Sequence, residues 1–209
     1  MRKILILLIS MPFFVMAQTD LKSINKKGID TSKYIPKGLL IGEKAPIIES
    51  ISNSGELISS QEIIKNQEIV VIFYRGKWCP VCTRYLSNLN DSLNSILKKN
   101  AVLLVIGPET FENANKTIEK TKGTFTLIPD TSGKIASEFD VMFYVTSGYQ
   151  KKIKTFLRTD ISKNNNQDEA QLPVPATYII GKDGNIKWRH FKYNYSERAS
   201  VKEILNHLE

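Results

Sequence analysis

The two cysteines of the chain stand three residues apart, in Arg75-Gly76-Lys77-Trp78-Cys79-Pro80-Val81-Cys82. Paired thiols can give up and regain two electrons, so chemistry is expected here first. A disulfide that serves as a staple usually closes a long loop, because that constrains the unfolded chain most. Cys79 and Cys82 close almost nothing, which argues against a staple. Half of a zinc site fits poorly, since there is no second cysteine pair and His190 and His207 are the only histidines. A copper site with His190 as third ligand, the reading of a metal chaperone, has no supporting spacing. What remains is thiol redox, carried by the sulfurs themselves with no cofactor and no metal.

The flanking residues suit that chemistry. Ile69 to Tyr74 is a continuous apolar run of the kind a buried parallel strand needs. After the cysteines, Val81, Tyr85, Leu86, Leu89, Leu93, Ile96 and Leu97 recur at spacings of three and four, one apolar stripe of a helix facing a sheet. Pro80 suits the first turn of that helix, having no N–H to leave unsatisfied. The thiols then lie at the positive end of a helix dipole, which stabilises a thiolate. A free cysteine titrates at about 8.5, whereas such sites reach ~3.5 to 7.5. Trp78 is expected to wall the site on one side.

The elements that position this loop follow along the chain. Ile47-Ile48 and Ile51, the turn Asn53-Ser54-Gly55, and Leu57-Ile58 predict a short hairpin. Ser60 is placed to cap a short helix through Lys65. Ala101 to Ile106 predicts a second buried strand, Phe111 to Lys122 a helix, Thr124 to Ile128 a strand, and Ile135 to Phe139 part of another helix. Tyr144 to Gln171 breaks the rhythm. Its run Lys163-Asn164-Asn165-Asn166-Gln167-Asp168-Glu169 reads as too polar to bury, so about 144–171 is expected as a surface insertion. Ala176 to Ile180, the turn Lys182-Asp183-Gly184-Asn185, and Ile186 to Phe191 predict a hairpin, and Ser196 is expected to open a last helix reaching Leu208. The alternation predicts an α/β layered fold with a mixed central sheet flanked by helices.

Arg2 and Lys3 precede an apolar run from Ile4 to Ile9, which resumes from Met11 to Met16. Val15-Met16-Ala17 then occupies the positions a signal peptidase reads, so residues 1–17 are expected to be a secretory signal. No cysteine follows the cleavage site to accept a lipid, and the run is short for a membrane span of about 20 residues. The protein is therefore expected to be exported, periplasmic or secreted, with no membrane span after cleavage. Residues 18–37, polar and without a sustained period, read as a linker before a domain at 38–209. The formal charge of +8, less Arg2 and Lys3, leaves +6, spread along the chain without a nucleic-acid-binding motif. A solvated basic surface is the better reading.

The chain resembles the alkyl hydroperoxide reductase / thiol-specific antioxidant family, especially its peroxiredoxin-like branch. The likeness rests on Ile41-Gly42-Glu43-Lys44-Ala45-Pro46, on Phe73 through Cys82, on Leu172-Pro173-Val174-Pro175-Ala176-Thr177-Tyr178-Ile179-Ile180, on Asp183-Gly184 and on Tyr195-Ser196-Glu197-Arg198. It implies a thioredoxin-like fold, a small hydroperoxide as substrate and a thiol electron-donor protein. Peroxiredoxins carry a threonine three residues before the peroxidatic cysteine, a proline upstream and a distant arginine. Laid on Phe73-Tyr74, that pattern makes Cys82 peroxidatic, puts Cys79 in the threonine's place and Arg75 in the proline's. The distant arginine falls near Pro175 and is missing. Arg75, Arg84 and Arg189 are then the candidate cations, and Arg75 reads first as a solvated loop residue. Thioredoxin-like folds also place a cis proline facing the cysteines, a role that falls on Pro175, while Pro173 reads as a loop proline. The rival resemblance is to exported thioredoxin-like reductases that act on protein disulfides, where Cys79 would attack and Cys82 resolve.

Overall fold

Six consecutive residues with no exposed side chain, Glu68–Phe73, form the middle strand β3 of a five-stranded sheet, in a computed structural model that describes residues 20–209. The secretory signal expected at residues 1–17 lies outside the described residues. Ahead of β3 come a helical segment at residues 20–26 (α1), the hairpin strands Glu49–Ile51 (β1) and Leu57–Ser59 (β2), and a one-turn helix Ser60–Ile63 (α2). After it come helices Pro80–Asp91 (α3) and Leu93–Lys98 (α4), strand Ala101–Gly107 (β4), helix Phe111–Thr121 (α5) and strand Thr126–Pro129 (β5). Helix Lys134–Glu138 (α6), strand Met142–Tyr144 (β6), helices Ser147–Leu157 (α7) and Ile161–Asn165 (α8), and strand Gln171–Pro173 (β7) follow. The hairpin Thr177–Ile180 (β8) and Ile186–His190 (β9) and the helix Val201–Asn206 (α9) end the chain.

The sheet order is β5-β4-β3-β8-β9, with β4 parallel to both β3 and β5, and β8 antiparallel to β3 and β9. This is the mixed, helix-flanked sheet of the thioredoxin-like fold that the alternation of elements predicts. β3 is apolar from Ile69 to Phe73 because it is covered on both faces. Its one charge, Glu68, is buried and accepts from Lys187 Nζ at 2.8 Å and from the Glu209 N–H at 2.9 Å.

Several expectations are corrected by packing. The apolar stripe from Val81 to Leu97 is two helices, broken at Ser92, and Leu97 is exposed. Ser60 does not cap α2. Its hydroxyl accepts the Ile48 N–H at 2.9 Å, tying β1's approach to the helix start. The last helix begins at Val201 rather than Ser196, because the reciprocal capping box between Ser200 and Glu203 fixes its start there. Residues 20–37 are no free linker: Ile24, Ile29 and Pro36 are buried, and Ile29 bridges Val145.

The stretch expected as a polar insertion contains α7 and α8, and Asn165 within its polar run is wholly buried. A buried amide must be satisfied, and Asn165 donates to the Gln171 carbonyl at 3.2 Å and accepts from Asn164 Nδ2 at 2.9 Å. Pro173, expected in a loop, is a buried residue of β7 paired with Met142.

Candidate active site

β3 ends at Phe73, and the backbone turns away through Tyr74-Arg75-Gly76-Lys77-Trp78 before α3 begins. Gly76 makes that turn with φ +137°, and a Cβ there would lie 2.6 Å from Trp78 Nε1. Only glycine fits both conditions. Below the turn sits Glu109, fully buried between β4 and α5. Its carboxylate accepts from Tyr74 Oη at 2.7 Å, the Lys77 N–H at 2.8 Å, Thr117 Oγ1 at 2.8 Å and Asn164 Nδ2 at 3.3 Å. Four donors hold one charge, so the loop is pinned from below. The same carboxylate, beside a buried phenol, helps burial push the Tyr74 hydroxyl well above its ordinary range.

Pro80 lies in the first turn of α3, as the sequence predicts, and Cys79 is the N-cap. The two sulfurs form a disulfide with Cα atoms 5.2 Å apart. Cys79 Sγ accepts the Cys82 N–H at 3.3 Å, so one orphan donor of the helix start is spent on sulfur. Both cysteines have 0% exposure and Trp78 only 8%, while Pro80 faces solvent.

Two guanidinium groups flank the sulfurs, one each. Arg75 Nη2 donates to Cys79 Sγ at 3.3 Å, and Arg198 Nη2 donates to Cys82 Sγ at 3.2 Å. Arg75, read from sequence as a solvated loop residue, is 3% exposed. It donates to Tyr149 Oη at 2.6 Å, and its Cζ lies 3.7 Å from the Tyr195 ring centroid and 5.2 Å from that of Trp78. Arg198 donates through Nε to the Tyr195 carbonyl at 2.7 Å and lies over the Tyr85 ring at 5.3 Å. Aromatic faces hold these cations in place of carboxylates. Burial, with the neighbouring charge of Arg75, lowers the Arg198 pKa to about 10. Burial likewise pushes the Tyr85 hydroxyl up to about 12.

The chain has no arginine near Pro175, where the peroxiredoxin pattern puts one; the guanidinium at Cys82 is that of Arg198, from the irregular segment before α9. Arg189 serves elsewhere, donating to the carbonyls of Lys37, Gly38 and Leu39, and Arg84 is exposed. Sequence reasoning also missed Tyr149, Tyr195 and Glu109. The one available signal was Tyr195-Ser196-Glu197-Arg198, part of the family likeness yet assigned to a helix. Tyr149 is pressed toward Arg75 by the N-terminal segment. A Cβ at Gly28 (φ +99°) would stand 2.6 Å from its ring.

Pro175 is buried in the link just before β8, and the Phe73 N–H donates to the neighbouring Ala176 carbonyl at 2.9 Å. This register sets Pro175 opposite the end of β3, where the cysteine loop departs. The described residues contain no cis peptide bond, so Val174–Pro175 is trans, against the thioredoxin-type expectation. His190 belongs to β9 and packs near Trp188, and among the described residues no group of three or more His, Cys, Asp or Glu side chains is gathered as metal ligands would be.

A disulfide-bonded cysteine pair at a helix start, on a thioredoxin-like sheet, is the arrangement of the thiol oxidoreductases as a class. The chain matches the AhpC/TSA family over residues 41–189, and it belongs to that family. It is 29% identical over 154 residues to peroxiredoxin Bcp of Bacillus subtilis, covering 73% of this chain and 86% of that one. A putative peroxiredoxin bcp of Coxiella burnetii is 26% identical over 119 residues, 57% of this chain and 78% of that one. Among solved structures, peroxidoxin BcpB from Mycobacterium tuberculosis superposes with a TM-score of 0.61 at 15% identity, covering 80% of this chain and 94% of that one. The reduced 2-Cys peroxiredoxin of Plasmodium vivax gives 0.60 at 17%, covering 80% and 79%. The protein is an oxidoreductase of the peroxiredoxin type.

Proposed function

We propose that the protein is an exported thiol peroxidase that reduces small hydroperoxides at Cys82 and closes its cycle with Cys79. The observation that carries this reading is Arg198 on Cys82 Sγ, a fixed cation at the sulfur that the family pattern makes peroxidatic. A guanidinium there favours the thiolate, the attacking form. The Cys82 thiolate attacks one oxygen of the hydroperoxide; an S–O bond forms, the O–O bond breaks, and the leaving alkoxide takes a proton and departs as the alcohol. Cys79 then attacks the Cys82 sulfenic acid; the S–S bond forms and hydroxide leaves, protonated, as water. A dithiol donor protein returns the pair to the reduced state by exchange. Because both sulfurs are sealed in the disulfide state, the first turn of α3 must move for that donor to reach them.

A second reading, reduction of protein disulfides, is favoured by one feature: Cys79, at the N-cap, receives both Arg75 and the Cys82 N–H. Stopped-flow mixing separates the two. Reduced protein is expected to consume one equivalent of hydrogen peroxide and re-form its disulfide much faster than it reduces a protein disulfide; the reverse order would make it a disulfide reductase.

Export rests on Arg2, Lys3 and the apolar run before Val15-Met16-Ala17. Among the described residues no helix is long and apolar enough to cross a membrane. Mass spectrometry of the exported protein is expected to find Gln18 at its N-terminus. An intact Met1 in a membrane fraction would contradict this.

A further inference from the structure

We propose that the reduced protein holds Cys79 and Cys82 as two thiolates at neutral pH, one on the Arg75 guanidinium and one on that of Arg198. The proposal rests on the redox role of the pair and concerns its charge state, whichever oxidant it meets. In the disulfide form the two cations face neutral sulfur, and no ion pair among the described residues includes either of them. Arg75 Nε and Arg198 Nη1 are buried with no hydrogen-bond partner, as are Trp78 Nε1 and Tyr85 Oη. Buried guanidinium without a counter-ion is costly, and two of them close together repel as well. A single thiolate would neutralise only one of them.

The other ionisable groups around the pair do not supply the missing charge. Tyr85 on α3, Tyr149 on α7 and Tyr195 before α9 are phenols, and burial disfavours the charged form of Tyr85 and Tyr149. Glu109, beneath the loop, is engaged by its four donors. Glu203 on α9 acts on Tyr85 but is held in the Ser200 capping box. The negative charges that fit are the sulfurs, each already at hydrogen-bond distance from its own arginine. An ordinary thiol pair would stay protonated at this pH.

Reduction by a dithiol then gives two thiolates and the donor's disulfide, and the donor's two protons pass to solvent. Oxidation by a hydroperoxide runs the other way: the two thiolates and two protons from solvent yield the disulfide, an alcohol and water.

The test is to reduce the protein with dithiothreitol in weakly buffered solution at pH 7 and titrate the acid released. About two protons per disulfide are expected, with a matching thiolate absorbance near 240 nm. Release of one proton or none overturns the proposal. Arg198→Met is expected to release about one proton fewer, and Arg198→Lys to recover most of the second. Undiminished release from Arg198→Met would remove the one-arginine-per-sulfur assignment. Should Arg198→Met fail to fold, the proton count of the parent and of Arg198→Lys still decides. No peroxide enters this measurement, so a protein that reacts fast with peroxide yet releases a single proton keeps the peroxidase reading and loses the paired thiolates.

Discussion

Replacing Arg198 by methionine is expected to slow the reaction of reduced protein with hydrogen peroxide about 10²-fold at pH 7. The residue is part-exposed, but its guanidinium end is buried and donates to Cys82 Sγ at 3.2 Å. Removing one well-placed donor from a reacting group costs ~10²–10³ in rate where water is excluded. Two effects combine at Cys82. The thiol pKa rises without its cation, so the fraction of thiolate at pH 7 falls, and the incoming oxygen loses a donor as it takes up charge. Raising the pH should therefore recover part of the loss in Arg198→Met, because the first effect is undone by titration and the second is not. Methionine keeps most of the apolar contact with the Tyr85 ring, so a rate effect without a large change in thermal stability is expected. Stopped-flow tryptophan fluorescence against peroxide concentration reads the rate constant directly; an unchanged value would show that Arg198 is merely packed there.

The largest stability effect is expected at Glu109, far from any solvent. Glu109→Ala strands the buried Tyr74 and Thr117 hydroxyls and removes the acceptor of the part-buried Lys77 N–H and Asn164 amide. Each unsatisfied buried donor costs ~1–3 kcal/mol, so the two buried hydroxyls alone set the loss at about 2–6 kcal/mol. For a domain whose whole stability is about 5–15 kcal/mol, that is a large fraction. Glu109→Gln should cost less, since its carbonyl still accepts from Tyr74 and Thr117, but its amide would confront the Lys77 N–H. Chemical denaturation compares the three proteins, and equal midpoints would show that the loop does not depend on this carboxylate.

The sheet and the cysteine helix are legible in the sequence because local pattern carries them. A six-residue, β-branched apolar run too short for a buried helix reads as a buried strand, and Pro80 ahead of an apolar stripe suits a helix start. The electrostatics of the site are not local. Arg198 meets Cys82 across 116 positions of chain, and Tyr149 meets Arg75 across 74. Nothing in periodicity marks either contact, and a tyrosine in a polar stretch looks like surface until α7 is seen to lean on the loop. Arg198 was hidden for a second reason: Ser196 and Ser200 are both fair helix caps, and only the Glu203 side chain closing on Ser200 decides between them. Starting the helix four residues early turns Arg198 from a site residue into a helix residue. The buried Asn165 fails the composition argument similarly, since polar runs exclude burial only until each group finds a partner.

If Arg198 and Cys82 are the reacting pair, Cys82 is the sulfur oxidised first. Cys79→Ser and Cys82→Ser, each reduced and treated with one equivalent of hydrogen peroxide, are trapped with a sulfenate-specific reagent and mapped by mass spectrometry. Sulfenate is expected on Cys82 in Cys79→Ser, formed at a rate near that of the parent, with no rapid oxidation in Cys82→Ser. Rapid sulfenate on Cys79 in Cys82→Ser, with Cys79→Ser inert, would contradict the assignment of Arg198 and Cys82 as the reacting pair.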